Sequence, residues 1–373
     1  MSQHYITRIQ AINTHPKRKK FIGKNACLDI HGYNIDEKII KIYTNTNYVG
    51  IGVCNLKQEQ LNNLLGKYIL NGNSCSINDE VKKILGYQTM AIWDLLGHIN
   101  NKPVYKLLSN NYNKFTEVYD GSIYFLDLIP ENKYIWKERL KNEIDIALEL
   151  GHTNFKIKVG RGHKWMSQIE GFKRDIEFIN EIYGYIKSNV KIGIDANNGY
   201  TLDEVKEFLR IVEGKVIFLE EMFPEEEKEY AELKEFILQN NYDILIADGE
   251  SWKNLEEAKL HIESQKIDVL QANIINFGIE GILEEAKLGK QYGNMVAPHG
   301  WGTYLGYFVN LHLGKVLDNY YMAEHDPLYN DLVNVVEYKI VNGRAIVPNV
   351  PGFGFSINEN KLEKKDIIFD IQL

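Results

Sequence analysis

Two lysines and three carboxylates in this chain stand where strand-like runs end. Lys156 and Lys158 fall in Phe155-Lys156-Ile157-Lys158-Val159-Gly160, and residues two apart on a strand face the same side. The next three runs end in acids: Asp195 in Ile194-Asp195-Ala196-Asn197, Glu220 in Phe218-Leu219-Glu220-Glu221, and Glu250 in Asp248-Gly249-Glu250-Ser251. A single acid there reads as a cap for the following helix. Three in succession after a lysine pair read instead as a converging set. Converging carboxylates repel unless a cation joins them, and oxygen-only ligands select a hard ion, Mg²⁺ with Mn²⁺ as the alternative. Three carboxylates, a dication and two lysines carry a net charge of about +1, a pocket suited to a carboxylate substrate. Glu221, next to Glu220, is expected to point the other way and stays outside the metal set.

The elements that must position these residues alternate. Strand candidates cover residues 118–125, 154–160, 190–197, 216–222, 243–250, 267–274, 294–299 and 320–325, with helical stretches in most of the gaps. One helix is well punctuated: Thr201 and Glu204 form a capping box, Val205, Phe208, Leu209 and Val212 recur at helical spacing, and Gly214 closes it. This pattern predicts an α/β fold, a parallel (β/α)₈ barrel over residues 113–327, whose active face lies at the strand C-terminal ends. A doubly wound open sheet is the alternative. Residues 1–112 read as an α+β unit, with a hairpin over 36–45 and 48–55 and a helix over 89–98. In the segment 328–373, strands 337–341 and 344–347 flank the turn Asn342-Gly343, and the tail is expected to return to the N-terminal unit.

The bulk properties of the 373 residues narrow the class. Hydrophobic residues at 44% and charged residues at 25% are ordinary for a globular protein. A net charge of −8 and a pI near 5.8 argue against nucleic-acid binding, which usually shows a basic face. No apolar run approaches the roughly 18 residues that span a bilayer, and the first residues lack the apolar core of a signal peptide. Cys27, Cys54 and Cys75 are far apart with no CxxC pair, as expected of small buried residues in a reducing compartment, so a cytoplasmic protein is predicted. A homo-oligomer is compatible with the sequence, which selects no particular state.

The ordered set KIK, DANNGY, FLEE, GES, APHGWGT and AEHD resembles the mandelate racemase subgroup of the enolase superfamily. The segments AIWDLLGHINNKPVYKLL and IVPNVPGFGFSI resemble its capping domain, so the likeness spans nearly the whole chain. It implies a modified barrel, (β/α)₇β, with a capping domain built from the N-terminal region and the C-terminal tail. It implies Asp195, Glu220 and Glu250 as ligands of Mg²⁺. Lys158 corresponds to the base on one face of the substrate, His299 to the acid/base on the other, Lys156 to the lysine holding the substrate carboxylate, and Glu324 to an acid bonded to that carboxylate end. Members remove the proton next to a carboxylate through an ene-diolate. Dehydration of an acid sugar to a 2-keto-3-deoxy acid is the leading expectation. Racemisation or epimerisation of a 2-hydroxy acid is the second, and a non-catalytic homologue the third. The nearby cations Lys156 and Mg²⁺ are expected to lower the Lys158 pKa. Residues 21–32, including His31, correspond to a loop over the site, with Trp301 and Tyr304 as pocket candidates. His152, His163, His312 and His325 are expected to be structural or surface histidines.

One position departs from the pattern. Where many relatives place an Asp beside the catalytic histidine, this chain has Asn273 or Ala272, depending on the alignment. His299 is therefore expected to titrate low and to be neutral near pH 7. The same strand end has no lysine, which counts against the muconate-cycloisomerase and dipeptide-epimerase subgroups.

Overall fold

The structure, a computed structural model, describes residues 3–71, 76–187, 189–213, 215–224 and 227–373. Gly214 and Cys75 lie outside the described residues.

The N-terminal part begins with β1 (Ile6–Thr14), β2 (Lys17–Ile22), β3 (Gly32–Asn34), β4 (Glu37–Thr44) and β5 (Val49–Val53). The helices α1 (Gln58–Asn62), α2 (Asp79–Leu85), α3 (Met90–Asn100) and α4 (Val104–Leu108) follow. The hairpin β4–β5 and helix α3 fall where the apolar pattern puts them. Helix α3 lies directly on β5 because Gly50 and Gly52 have no side chains. A Cβ on Gly50 would sit 2.1 Å from the Ala91 carbonyl oxygen, and one on Gly52 2.4 Å from the Ala91 nitrogen. Buried Asp94 on α3 accepts hydrogen bonds from Ile51 N at 2.9 Å and Phe353 N at 2.8 Å, tying the sheet to the C-terminal segment.

The barrel runs β6 (Thr116–Ile123), α5 (Trp136–Glu149), β7 (Asn154–Lys158), α6 (Arg161–Lys164), α7 (Gln168–Tyr185), β8 (Lys191–Asp195) and α8 (Leu202–Ile211). It continues through β9 (Phe218–Glu220), α9 (Glu227–Gln239), β10 (Leu245–Asp248), α10 (Leu255–Ser264), β11 (Val269–Leu270), α11 (Ile274–Gln291), β12 (Met295–Val296), α12 (Tyr304–Val316) and β13 (Ala323–His325). Strands β6 to β12 pair in order, all parallel. Val296 then forms a parallel bridge with Tyr320, and β13 pairs in parallel with β6, so the pairing returns to where it began. This ring, with seven principal helices outside it, excludes the open sheet. The capping box holds: Thr201 Oγ1 accepts from Glu204 N at 3.3 Å, and Glu204 Oε2 accepts from Thr201 N at 2.8 Å. Several strands are shorter than predicted. In β11 the ladder ends at Leu270, and Gln271 to Asn273 leave it to form the rim and start α11.

After the barrel come β14 (Leu328–Tyr329), β15 (Val333–Val335), β16 (Lys339–Val341), β17 (Arg344–Ile346), β18 (Phe355–Ile357) and β19 (Ile367–Gln372). Asn342 and Gly343, with φ of 51° and 73°, make the β16–β17 turn. This hairpin stays on the barrel, where β17 pairs antiparallel with β6. Other strands of the tail reach the N-terminal part. Strand β19 joins β1 in the sheet β19-β1-β4-β5, and β14 joins β2 and β3. No helix among the described residues is long and apolar enough to cross a membrane.

Candidate active site

Parallel pairing in register brings Lys158 of β7 beside Asp195 of β8, and Asp195 beside Glu220 of β9. The side chains form one buried network. Lys156 Nζ lies 2.5 Å from Glu220 Oε1, 2.7 Å from Glu324 Oε1 and 3.2 Å from Asp195 Oδ2. Lys158 pairs with Asp195. His299, beyond the end of β12, places Nδ1 2.8 Å from Glu250 Oε2 and 3.3 Å from Glu324 Oε2. The structure thus brings Lys156, Lys158, Asp195, Glu220, Glu250, His299 and Glu324 into one cluster. Gln271 adds a hydrogen bond to Glu220 Oε2 at 2.7 Å, and Gly300 N donates to Glu324 Oε2 at 3.2 Å.

The electrostatics pull in opposite directions. Burial penalises charge on every member, and the neighbours decide the outcome. Against burial, Lys158 and Lys156 hold the Asp195 carboxyl well below the usual range. Burial pushes Glu220 up to about 8, with Lys156 offsetting only part of it. Burial and four neighbouring carboxylates, Glu250 first, push Glu221 up to about 10. Glu250 is lowered to about 2 because His299 outweighs its burial, and His299 is raised to about 9 because Glu250 and Glu324 outweigh its own.

Three expectations are corrected. His299 has acidic partners after all, supplied by Glu250 and Glu324 instead of the sixth strand. Asn273 is occupied elsewhere: its Oδ1 accepts from Ile275 N at 2.9 Å and caps α11, and it meets His299 only through a backbone bridge. Lys158 is not depressed but raised, since Asp195 overcomes burial and the repulsion of Lys156. Glu221 does not point away. Its backbone is left-handed, φ 40°, so the alternation of a strand no longer applies, and Asn197 Nδ2 donates to its Oε2 at 3.2 Å. Asn197 and Asn198 share that conformation, with φ of 41° and 61°. The doubled asparagine was the available signal for a turn of this kind.

Other candidates separate. Trp301 stacks on Tyr124 with centroids 4.9 Å apart, and Lys158 Nζ lies 5.0 Å from the Tyr124 centroid, so both rings belong to the site. His31 meets Tyr124 edge-on at 4.9 Å. Tyr304 packs its ring against Phe308, and its nitrogen donates to Glu37. His152 and His325 form a pair 2.8 Å apart, and His312 Nδ1 accepts from Tyr105 N at 3.1 Å.

The fit of a metal rests on the donor set. Among the described residues no three acidic, histidine or cysteine side chains are arranged to hold an ion as they stand, because the lysines occupy the carboxylate oxygens. Yet among the described residues five carboxylates, those of Asp195, Glu220, Glu221, Glu250 and Glu324, have Lys156, Lys158 and His299 as the cationic groups of their cluster. Two negative charges are left over, and the raised Glu220 and Glu221 register that excess. Hard oxygen donors short of two positive charges suit a divalent cation.

The family model described as enolase C-terminal domain-like matches residues 139–361, which contain all seven clustered residues. The chain belongs to the enolase superfamily. Within that superfamily it is similar to the arabinonate dehydratase of Saccharolobus solfataricus, 28% identical over 281 residues, 74% of this chain and 69% of that protein. Among solved structures it is similar to a galacturonate dehydratase from Geobacillus sp. complexed with D-galacturonate and 5-keto-4-deoxy-D-galacturonate, at 30% identity and a TM-score of 0.85, covering 96% of each chain. A mandelate racemase/muconate lactonizing protein from Geobacillus sp. complexed with magnesium and tartrate aligns at 29% identity and a TM-score of 0.86, over 96% of this chain and 94% of that one.

Proposed function

We propose that this chain is a magnesium-dependent dehydratase of sugar acids, giving a 2-keto-3-deoxy acid. One observation carries the reading: a lysine and an imidazole reach the same buried carboxylate cluster from β7 and from beyond β12, three strands apart round the ring. Asp195, Glu220 and Glu250 would hold the Mg²⁺, or Mn²⁺ on the same donors. The bound ion supplies Lewis-acid stabilisation of the charge that develops on the substrate carboxylate. Lys156, among three carboxylates, keeps its charge and binds the carboxylate end together with Glu324. Lys158 would take the α proton once an ion on Asp195 replaces the pairing that keeps the lysine charged. His299 directs Nδ1 to the acids and presents Nε2 to the opposite side of the substrate, where it gives a proton to the departing β-hydroxyl. The C–H electrons form the new double bond, hydroxide leaves as water, and the enol tautomerises to the ketone. The relatives named as dehydratases support dehydration over racemisation.

We further infer that residues 1–112, joined by strands β14 and β19 of the segment 328–373, form a capping unit over a barrel of 113–327. The free Cys27 and Cys54 are in keeping with a reducing, cytoplasmic setting.

The test is a panel of sugar acids incubated with protein and Mg²⁺, read out for 2-keto acid and, in D₂O, for label at C3 of the product, where the enol takes up a solvent proton. A 2-keto-3-deoxy product is expected. Epimers formed without loss of water would replace this reading with racemisation.

A further inference from the structure

The rings that adjoin Lys158 form an aromatic wall, and the arginine that lies over them is already matched. Tyr124 and Trp301 stack at an interplanar angle of 24°, and His31 covers the edge of Tyr124. His31 Nδ1 points at the Gly23 carbonyl 3.1 Å away, and burial, aided by Arg18 and Lys158, lowers its pKa so that it is neutral at pH 7. The Arg18 guanidinium lies over Trp301, 4.8 Å from the ring centroid. Its charge is spent on Asp326. Arg18 Nε lies 3.1 Å from both Asp326 oxygens and Nη2 lies 2.9 Å from Oδ2, with both side chains buried. Gly302 N also donates to Asp326, so this pair fixes the loop that carries Trp301. Among the described residues, the other cations next to these rings are Lys156 and Lys158, at the reacting end. Nearby Lys24 is engaged by Asp29 at 2.9 Å. The Trp301 indole nitrogen, meanwhile, is shielded from solvent and has no hydrogen-bond partner among the described residues.

From this we infer that the site takes sugar acids with a single carboxylate, whose uncharged hydroxylated end lies against the Tyr124–Trp301 stack and accepts a hydrogen bond from the Trp301 N–H. The inference rests on the dehydratase reading and deepens it. A second carboxylate there would be desolvated against aromatic faces, and the arginine over them is already paired with Asp326. A hydroxyl would both satisfy the indole donor and place C–H groups on the rings.

The experiment compares matched pairs, aldonic acids against the aldaric acids of the same configuration, with wild-type protein and Mg²⁺. The monocarboxylates are expected to lead in kcat/KM by on the order of a hundredfold. Trp301→Phe, which keeps the stack and removes the donor, is expected to raise KM for hydroxylated acids about threefold to tenfold, and to leave KM for a terminally deoxygenated acid near its wild-type value. Equal or better turnover of the dicarboxylates would overturn the inference while leaving dehydration intact. Failure of both series to bind or react would overturn the dehydratase reading and this inference with it. An equal rise in KM for hydroxylated and deoxygenated acids would remove the indole donor from recognition.

Discussion

Two buried charge networks lie within a few residues of each other along the chain, and they are built on opposite terms. Behind the site, Arg161 pairs with Asp127 at 2.7 Å and Asp175 at 2.5 Å, with Arg174 3.6 Å from Asp127. Gly160 N and Tyr200 OH complete the Asp175 shell, and the Arg161 guanidinium sits between the rings of Phe125 and Phe178. Two arginines meet the two buried aspartates, and at the exposed edge Arg174 is shared with Glu177, which Lys137 also pairs. In the active-site cluster, five carboxylates meet three cationic groups. A network that only braces loops balances its charges and fills its hydrogen bonds. One built for chemistry leaves charge to be completed by what it binds, and so holds groups with pKa values pushed far apart.

The sharpest test of that contrast is Lys158→Ala. Turnover should fall about a thousandfold to ten-thousandfold, with Mg²⁺ binding retained in calorimetry; a variant that turned over normally would remove Lys158 from the reaction. On the braced side, Arg161→Met strands two buried aspartates and should cost about 3–5 kcal/mol in denaturant unfolding. The shape of the pH–rate profile should not move, since Arg161 exchanges no proton with substrate. If the profile moved and stability did not, the two networks would not be distinct.

Glu37 offers an intermediate case, a lone carboxylate between the N-terminal sheet and the barrel. Its Oε1 accepts from Thr303 Oγ1 at 2.6 Å, Tyr304 N at 2.8 Å and Leu305 N at 3.4 Å, but burial wins and the pKa is raised to about 7. The folded state therefore holds this proton more tightly than the unfolded chain does. The resulting stability is full below about pH 4.5 and is lost as pH rises through about 7. Glu37→Gln should remove about 3 kcal/mol of that pH dependence, seen as a smaller loss of stability in melts between pH 5 and 8. An unchanged slope would mean that Glu37 is charged in the folded protein.

The smallest expected effect is that of the ion on stability. Mg²⁺ at a hundred times its dissociation constant should add about 2.7 kcal/mol by mass action, and chelation should reverse it. Melting that ignored both Mg²⁺ and chelator would undo the argument from unmatched charge.

Much of the site was legible because its residues end strands. Period-two alternation put Lys156 and Lys158 on one side, and the acids recur at the ends of the next three strands, so local pattern was enough. What was not legible depends on pairing across the chain or on departures from the pattern. The partners of His299 come from β10 and β13, so the missing acid at Asn273 was misleading. Glu221 turns inward only because its φ is positive. Gln271 stands two residues before Asn273 and bonds Glu220, but an uncharged amide at a strand end carries no signal of its own. In the fold, the barrel was readable because each strand and helix is a local pattern. Strands β1, β2 and β19 escaped because their ladders join distant segments.

One of those ladders bears on timing. Arg8 of β1 lies opposite Gln372 of β19 and bonds Asp370. On a ribosome, β1 can pair with β4 within a few dozen residues, but its other edge stays open until β19, far along the chain, has been made. Loop closure over such a span is slow, and an open strand edge attracts foreign strands. The barrel can therefore assemble while the sheet beside it is still one strand short. Removing residues 367–372 should yield a protein that forms its barrel yet aggregates through β1.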